Sequence, residues 1–240
     1  MTKNRPLAVA HRCGTTLGPE NSISALLRSL AIGVDAVETD VRMTADGVLV
    51  CFHDEDLRRL AGRREKIQDL TFIEIKARYA NIMTVSECIE YRQSVGVWLD
   101  IKDNRQACLE KLSDLLHNRA DLGRIMIGMR EIETANAFRP DLYGYQLLAL
   151  AKNPQHGGQW RSVGAEWFRL WENEAGPQAV EDLRIQGFKI VIMTGDRELG
   201  TGPFPTGRTA GEIDQKGLSA LLALQPDAIM LDNPAELIHR

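Results

Sequence analysis

The sequence predicts a (β/α)8 barrel that takes residues 1–240 as a single domain, with an extended return segment in place of a helix between strands 2 and 3. Three observations carry that prediction. Nine short apolar runs follow one another along the chain, amphipathic helical patterns separate most of them, and 240 residues is close to the ~250 typical of such barrels. Eight runs close a barrel, so one lies outside it. An open doubly wound sheet is the alternative, but no G-x-G-x-x-G follows the first run.

In order, LAVA (7–10) is the first strand, and SISALLRSLAIG (22–33) is a helix with Asn21 expected as its N-cap and Gly33 as its stop. AVETDV (36–41) and VLVCF (48–52) come next, joined through the turn signal Asp46-Gly47. A parallel crossover needs about a dozen residues or more, which this connection lacks, so the return pass is extended. TVSECIEYRQSVG (84–96) is a helix leading into VWLDI (97–101), and CLEKLSDLLHNRA (108–120) one leading into RIMIGM (124–129). YQLLAL (145–150), AEWFRL (165–170), KIVIM (189–193) and AIML (228–231) complete the runs, with the helix PQAVEDLRIQG (177–187) ahead of KIVIM.

Composition narrows the function. The net charge is −4 and the basic residues are dispersed, which argues against nucleic acid and for a small-molecule partner. No apolar run of about 18 residues marks a membrane span, and the start lacks a secretory apolar region, so a cytoplasmic location is expected. The cysteines (Cys13, Cys51, Cys88, Cys108) show no C-x-x-C spacing, which points to neither a zinc site nor a disulfide framework. Oligomeric state is left open.

Chemistry concentrates at the strand ends. Glu38 and Asp40 are two apart on a strand and share a face, and the tight turn is expected to bring His53 back level with Asp40. His11-Arg12 ends the first run, His53-Asp54 the third, and Asp100 with Lys102 the fourth. In a barrel these ends gather at one mouth. Three carboxylates there are costly unless a cation or hydrogen bonds compensate, and an all-oxygen set suits Mg2+ or Ca2+ better than zinc.

These residues resemble the glycerophosphodiester phosphodiesterases, a family of phospholipase-C-like barrels. The family's H-R-G and P-E-N are similar to His11-Arg12 and Pro19-Glu20-Asn21. Its E-x-D-V…T-x-D-G…H-D block matches Glu38, Asp40, Val41, Thr44, Asp46, Gly47, His53 and Asp54; LDIK (99–102) resembles L-E-I-K and LDNP (231–234) resembles T-D-x-P. The resemblance implies a metal-dependent phosphodiesterase that releases an alcohol and glycerol 3-phosphate. It implies His11 and His53 as general base and acid, Arg12 and Lys102 as phosphate ligands, and Glu38, Asp40 and Asp100 as ligands of one divalent cation, Mg2+ or Ca2+. The alternatives are a relative acting on lysophospholipids or sugar phosphodiesters, or a non-catalytic phosphodiester-binding barrel.

Three departures from the family bear on the last two readings. Cys13 replaces a glycine, with Gly14 following as the expected source of the turn; Asp100 replaces a glutamate; and IMTGD (192–196) lacks the family's pocket tryptophan, which Trp167 or Trp171 could replace. The segment 196–217, rich in glycine and longer than the ~2 to 6 residues usual after a barrel strand, is expected to cover the mouth and offer Arg197 and Arg208 to an anion.

Overall fold

The structure, a computed structural model, describes residues 5–117, 119–138, 144–151 and 153–239. Ten strands occur in chain order: β1 (Leu7–Ala10), β2 (Ala36–Met43), β3 (Leu49–Cys51), β4 (Met83–Thr84), β5 (Gly96–Ile101), β6 (Ile125–Met129), β7 (Gln146–Ala149), β8 (Trp167–Trp171), β9 (Lys189–Met193) and β10 (Ala228–Leu231). All but β3 and β4 are parallel neighbours in that order, and β1 pairs with both β10 and β2, which closes an eight-stranded barrel. The helices are α1 (Ile23–Ala31), α2 (Arg58–Ala61), α3 (Phe72–Arg78), α4 (Val85–Tyr91), α5 (Gln106–Leu116), α6 (Ile132–Phe138), α7 (Gly157–Ser162), α8 (Pro177–Ile185), α9 (Gln215–Ala223) and α10 (Ala235–Ile238).

The run outside the barrel is VLVCF. Its β3 folds back antiparallel on β2, with Val41 opposite Cys51 and Met43 opposite Leu49. This register places Phe52, not His53, level with Asp40, one residue off the expected match, and Phe52 N–H donates to the Asp40 carbonyl at 2.9 Å. His53 lies past the end of β3, so the offset does not turn it away from the mouth. Below the hairpin, Val50, Phe52, Leu57, Ile67, Ile75 and Ile82 form a small separate core, and the chain regains the barrel through β4 and α4, the latter started by a Thr84–Glu87 capping box.

Two further apolar layers fix the barrel. Outward residues of the strands pack under the helices, while Val9, Trp98, Met126, Leu148, Trp167 and Met230 fill the interior. Trp98 and Trp167 meet across it, with ring centroids 5.5 Å apart. This packed floor confines any cavity to the C-terminal mouth. The helix expected over 108–120 ends at Leu116, and Asn118 lies outside the described residues. Among the described residues no helix is long and apolar enough to cross a membrane.

Candidate active site

Strand register assembles the site. Asp40 of β2 pairs with Asp100 of β5, and Glu38 stands two residues earlier on the same inward face. Ligand-type oxygens of Glu38, Asp40 and Asp100 all lie within 4.8 Å of one another, and all three residues are buried. On the other side of β2, Ala10 pairs with Leu231, which brings His11 and Asp232 together at the next level. His11 and the three carboxylates open onto a cavity of about 800 Å³ that also takes in Arg12, His53 and Lys102. The residues expected as acid and base, as phosphate ligands and as metal ligands therefore all line one mouth.

The three carboxylates are not equivalent. Burial, reinforced by the neighbouring Asp40 charge, pushes Glu38 up to about 7; its hydrogen-bond donor is the Arg12 backbone N–H at 2.8 Å. For Asp100 burial works in the same direction, but Lys102 and Arg130 overcome it and hold the carboxyl far below the usual range. Arg130 forks onto both Asp100 oxygens (2.5 and 2.7 Å), and Lys102 Nζ reaches Asp100 Oδ2 at 2.8 Å and Asp40 Oδ1 at 3.1 Å. Asp40 is likewise lowered against its burial, chiefly by Lys102, and accepts from Asn21 Nδ2 at 2.9 Å.

Each histidine is oriented by a carboxylate. His11 Nδ1 meets Asp232 Oδ1 at 2.7 Å, and His53 Nδ1 meets Asp54 Oδ1 at 2.7 Å. With Nδ1 engaged, Nε2 is the nitrogen each ring has left for the cavity. Asp54 continues into a chain of charges: Arg59 Nε donates to it at 2.7 Å, the Arg59 fork grips Glu20 at 2.7 Å twice, and Glu20 accepts from Arg12 at 3.1 Å. Burial lowers the His53 pKa more than the Asp40 charge raises it.

The His-Arg turn is strained. Arg12 (φ 48°), Cys13 (φ 65°) and Gly14 (φ 90°) are all left-handed, so Cys13 adopts the backbone itself instead of leaving it to Gly14. Gly14 is still needed, since a Cβ there would come within 2.6 Å of Ser29 Oγ. The helix cap differs from expectation too. Ser22 caps α1 by accepting from Ala25 N–H, whereas Asn21 is left-handed (φ 54°) and turned inward, bonding Thr39 Oγ1 and Asp40. A side chain with both a donor and an acceptor is more useful between those two groups than at a cap that Ser22 already fills.

Sequence reasoning gave no role to Asp232, Arg59, Arg130 or Arg169. Asp232 and Arg130 follow β10 and β6 directly, so the strand-end rule that found His11 could have found them. Arg169 was hidden inside an apolar run. It lines the cavity between Trp167, which is barrel core, and Trp171, which lines the mouth. The segment 196–217 is held by Asp196, whose carboxylate accepts from Gly200 N–H, Thr206 N–H, Thr206 Oγ1 and Gly207 N–H at 2.6–2.9 Å. Arg197 faces the cavity; Arg208 does not, because it pairs with Glu172 and Asp214. Gly211 (φ 93°) closes the segment against the site, where a Cβ would lie 2.1 Å from Asp232 Oδ1.

The fold and site define a (β/α)8 barrel with acidic, basic and imidazole groups at its C-terminal mouth, and comparison with known proteins gives the family. The chain belongs to the glycerophosphoryl diester phosphodiesterase family, whose model matches residues 11–236. It is 40% identical over 78 residues to a glycerophosphodiester phosphodiesterase of Caldanaerobacter subterraneus, covering 32% of each chain. It is 28% identical over 133 residues to the human lysophospholipase D GDPD1, covering 48% of this chain and 42% of that one. The matched stretches thus span less than half the length of these relatives. Among solved structures it is similar to an Oleispira antarctica phosphodiesterase in complex with the product sn-glycerol-3-phosphate (TM-score 0.78, 19% identity, 97% of this chain and 95% of that one).

Proposed function

We propose that the protein hydrolyses glycerophosphodiesters to an alcohol and glycerol 3-phosphate, with His11 and His53 as the acid–base pair. The observation that carries this reading is the shared geometry of the two rings: each has Nδ1 fixed by a carboxylate and its other nitrogen left for one carboxylate-lined cavity. A binding site needs no such pair. A nucleophilic hydroxyl must lose a proton and the departing alkoxide must gain one, and two pinned imidazoles perform both transfers. Family membership and the product named for the Oleispira relative support glycerol 3-phosphate as the released phosphomonoester.

Glu38, Asp40 and Asp100 fit a divalent cation. Their oxygens converge, and Glu38, raised to about 7 with no side-chain cation within ion-pair distance among the described residues, is a carboxylate short of positive charge. These three residues would hold the ion, which when bound would supply charge neutralisation at the nonbridging oxygens and polarisation of phosphorus. Arg12 and Lys102 flank the same point and hold the diester's oxygens once they exchange part of their present carboxylate contacts for it. The second reading is a lysophospholipid diester, favoured by the likeness to the human lysophospholipase D.

The test is turnover of a panel of glycerophosphodiesters and lysophospholipids by purified protein, after chelation and after adding back Mg2+ or Ca2+. Release of glycerol 3-phosphate that stops with chelation and returns with the ion is the expected result. Full activity after exhaustive chelation would remove the metal from the mechanism, and no turnover on any member would remove the hydrolytic reading.

A further inference from the structure

The wall of the cavity facing the carboxylates has its own chemistry. Along β8, Trp167, Arg169 and Trp171 point inward at the two-residue period of a strand. Counted round the closed barrel, β8 is four strands from β2 in either direction, so Arg169 stands across the mouth from the carboxylate wall, where Asp100 and Glu38 are the acids whose charge it feels without bonding them.

Arg169 differs from the other cations of the cavity. Arg12 is held by Glu20, Lys102 by Asp40 and Asp100, Arg130 by Asp100, and Arg197 by Glu174. Among the described residues nothing accepts a hydrogen bond from Arg169; its Nε is buried without a partner, as are those of Arg12 and Arg197, but only Arg169 has no carboxylate on its other nitrogens. Its guanidinium lies over the Trp171 ring, 4.9 Å from the centroid, which fixes its plane. A guanidinium drawn out of bulk water with no acceptor is unfavourable in the free protein. Burial does draw its pKa down, but only to about 10, so it is charged at neutral pH. An incoming anion would supply what the protein withholds.

The geometry points to a subsite for a second anionic group: the substrate is a glycerophosphodiester whose far alcohol itself bears a carboxylate or a phosphate, seated on Arg169 while the diester phosphorus lies by Glu38, Asp40 and Asp100. This rests on the phosphodiesterase reading above and deepens it. A planar fork takes either anion through paired hydrogen bonds. A choline-type alcohol would instead set a positive charge against Arg169, which is destabilising.

The experiment compares kcat/KM for four diesters sharing one glycerophosphoryl group, joined to glycerol (neutral), choline (cationic), glycolate (carboxylate) or glycerol phosphate (phosphate). In parallel, calorimetry measures binding of the same compounds to the His53→Ala protein. The expected result is a preference of about tenfold or more for an acidic member over the neutral one in both assays. The glycolate and glycerol phosphate arms say which anion it is. Arg169→Gln should bring that ratio close to one, and Arg169→Lys should restore part of it. Even kcat/KM and affinity across the panel, or an Arg169→Gln loss equal for every diester, overturns the subsite and leaves the hydrolytic reading standing. Preferential, Arg169-dependent binding with no turnover of any diester does the reverse. Neither turnover nor preference overturns both.

Discussion

The two walls of the mouth solve the problem of buried charge differently. On the wall built from β1, β2, the β3 hairpin and β5, nearly every charge is answered by another: Arg12 by Glu20, Glu20 by Arg59, Arg59 by Asp54, Asp54 by His53, and Lys102 by two aspartates. On the wall built from β8 and β9, Arg169 is unanswered and Trp171 supplies a flat apolar face. A buried network is rigid when fully satisfied, which suits groups that must hold a geometry through a reaction. An unsatisfied cation instead awaits a partner, which suits discrimination among ligands. The proposed reading places the reacting bond at the first wall and selection at the second.

The largest test of that division removes the proton carriers. His11→Ala or His53→Ala should lower kcat by about 10²- to 10⁴-fold, the usual worth of one acid–base group. Divalent-ion affinity and the melting temperature should stay close to wild type. A loss of only a few fold in either variant would break the assignment of chemistry to the first wall.

Orientation comes next in size. Asp232→Asn replaces the carboxylate that accepts from His11 Nδ1–H with an amide that can also donate, which allows the ring to take the wrong tautomer. A fall of about tenfold to a hundredfold in kcat, with KM nearly constant, is the expected outcome in steady-state assays. An unchanged kcat would leave Asp232 as a packing residue of the closing strand.

The same division explains what the sequence disclosed. The reactive wall is built largely from short-range patterns, such as Glu38 two residues before Asp40 or His53 after a tight turn, and from strand ends that any parallel barrel brings together. Its finer details escaped because they depend on geometry no local pattern encodes. The left-handed φ of Asn21 turns a residue that reads as a helix cap into a partner of Asp40. Asp232, 221 residues from His11, meets it only because β10 closes on β1. The Asp40–His53 register was missed by one because the turn is centred on Asp46, with Met43 opposite Leu49, so Phe52 comes level with Asp40. On the far wall the apolar run AEWFRL gave β8 correctly, yet nothing in it says that Arg169 lacks a partner. That is a property of the assembled cavity.

Arg130, which follows β6 between the two walls, permits a finer test. Its fork on Asp100 adds positive charge at the point where a divalent cation would sit, and Asp100 is one methylene shorter than glutamate. Arg130→Met should therefore raise Mg2+ or Ca2+ affinity by about tenfold in a calorimetric titration, because one repulsive neighbour is gone. Weaker binding would show instead that Arg130 holds Asp100 in position for the ion, and would join β6 to the reactive wall.

The smallest effect concerns the segment over the selective wall, which Asp196 folds on itself and which is tied to the rest of the protein through Glu172, Asn173 and Glu174 and, at Gly211, by the Asp232 N–H. Although burial opposes it, hydrogen bonds from Thr206, Gly200 and Gly207 bring the Asp196 pKa down to about 2. In the unfolded chain an aspartate titrates near 3.9. A carboxyl lowered on folding stabilises the protein fully above the unfolded value and loses that contribution as pH falls through the folded one, here between about pH 4 and pH 2. Asp196→Asn should thus lower the melting temperature at neutral pH by about 2 to 4 °C, the shift that about 1 kcal/mol of lost hydrogen bonding produces in a chain of this size. The difference from wild type should shrink as the pH is taken from about 4 towards 2, where the wild-type carboxyl is itself protonated. Metal affinity should not move, since Asp196 touches neither Glu38, Asp40 nor Asp100. A change in metal affinity, or a melting difference that persists undiminished at pH 2, would mean that the segment and the reactive wall are one unit and that the separation between the two walls is drawn in the wrong place.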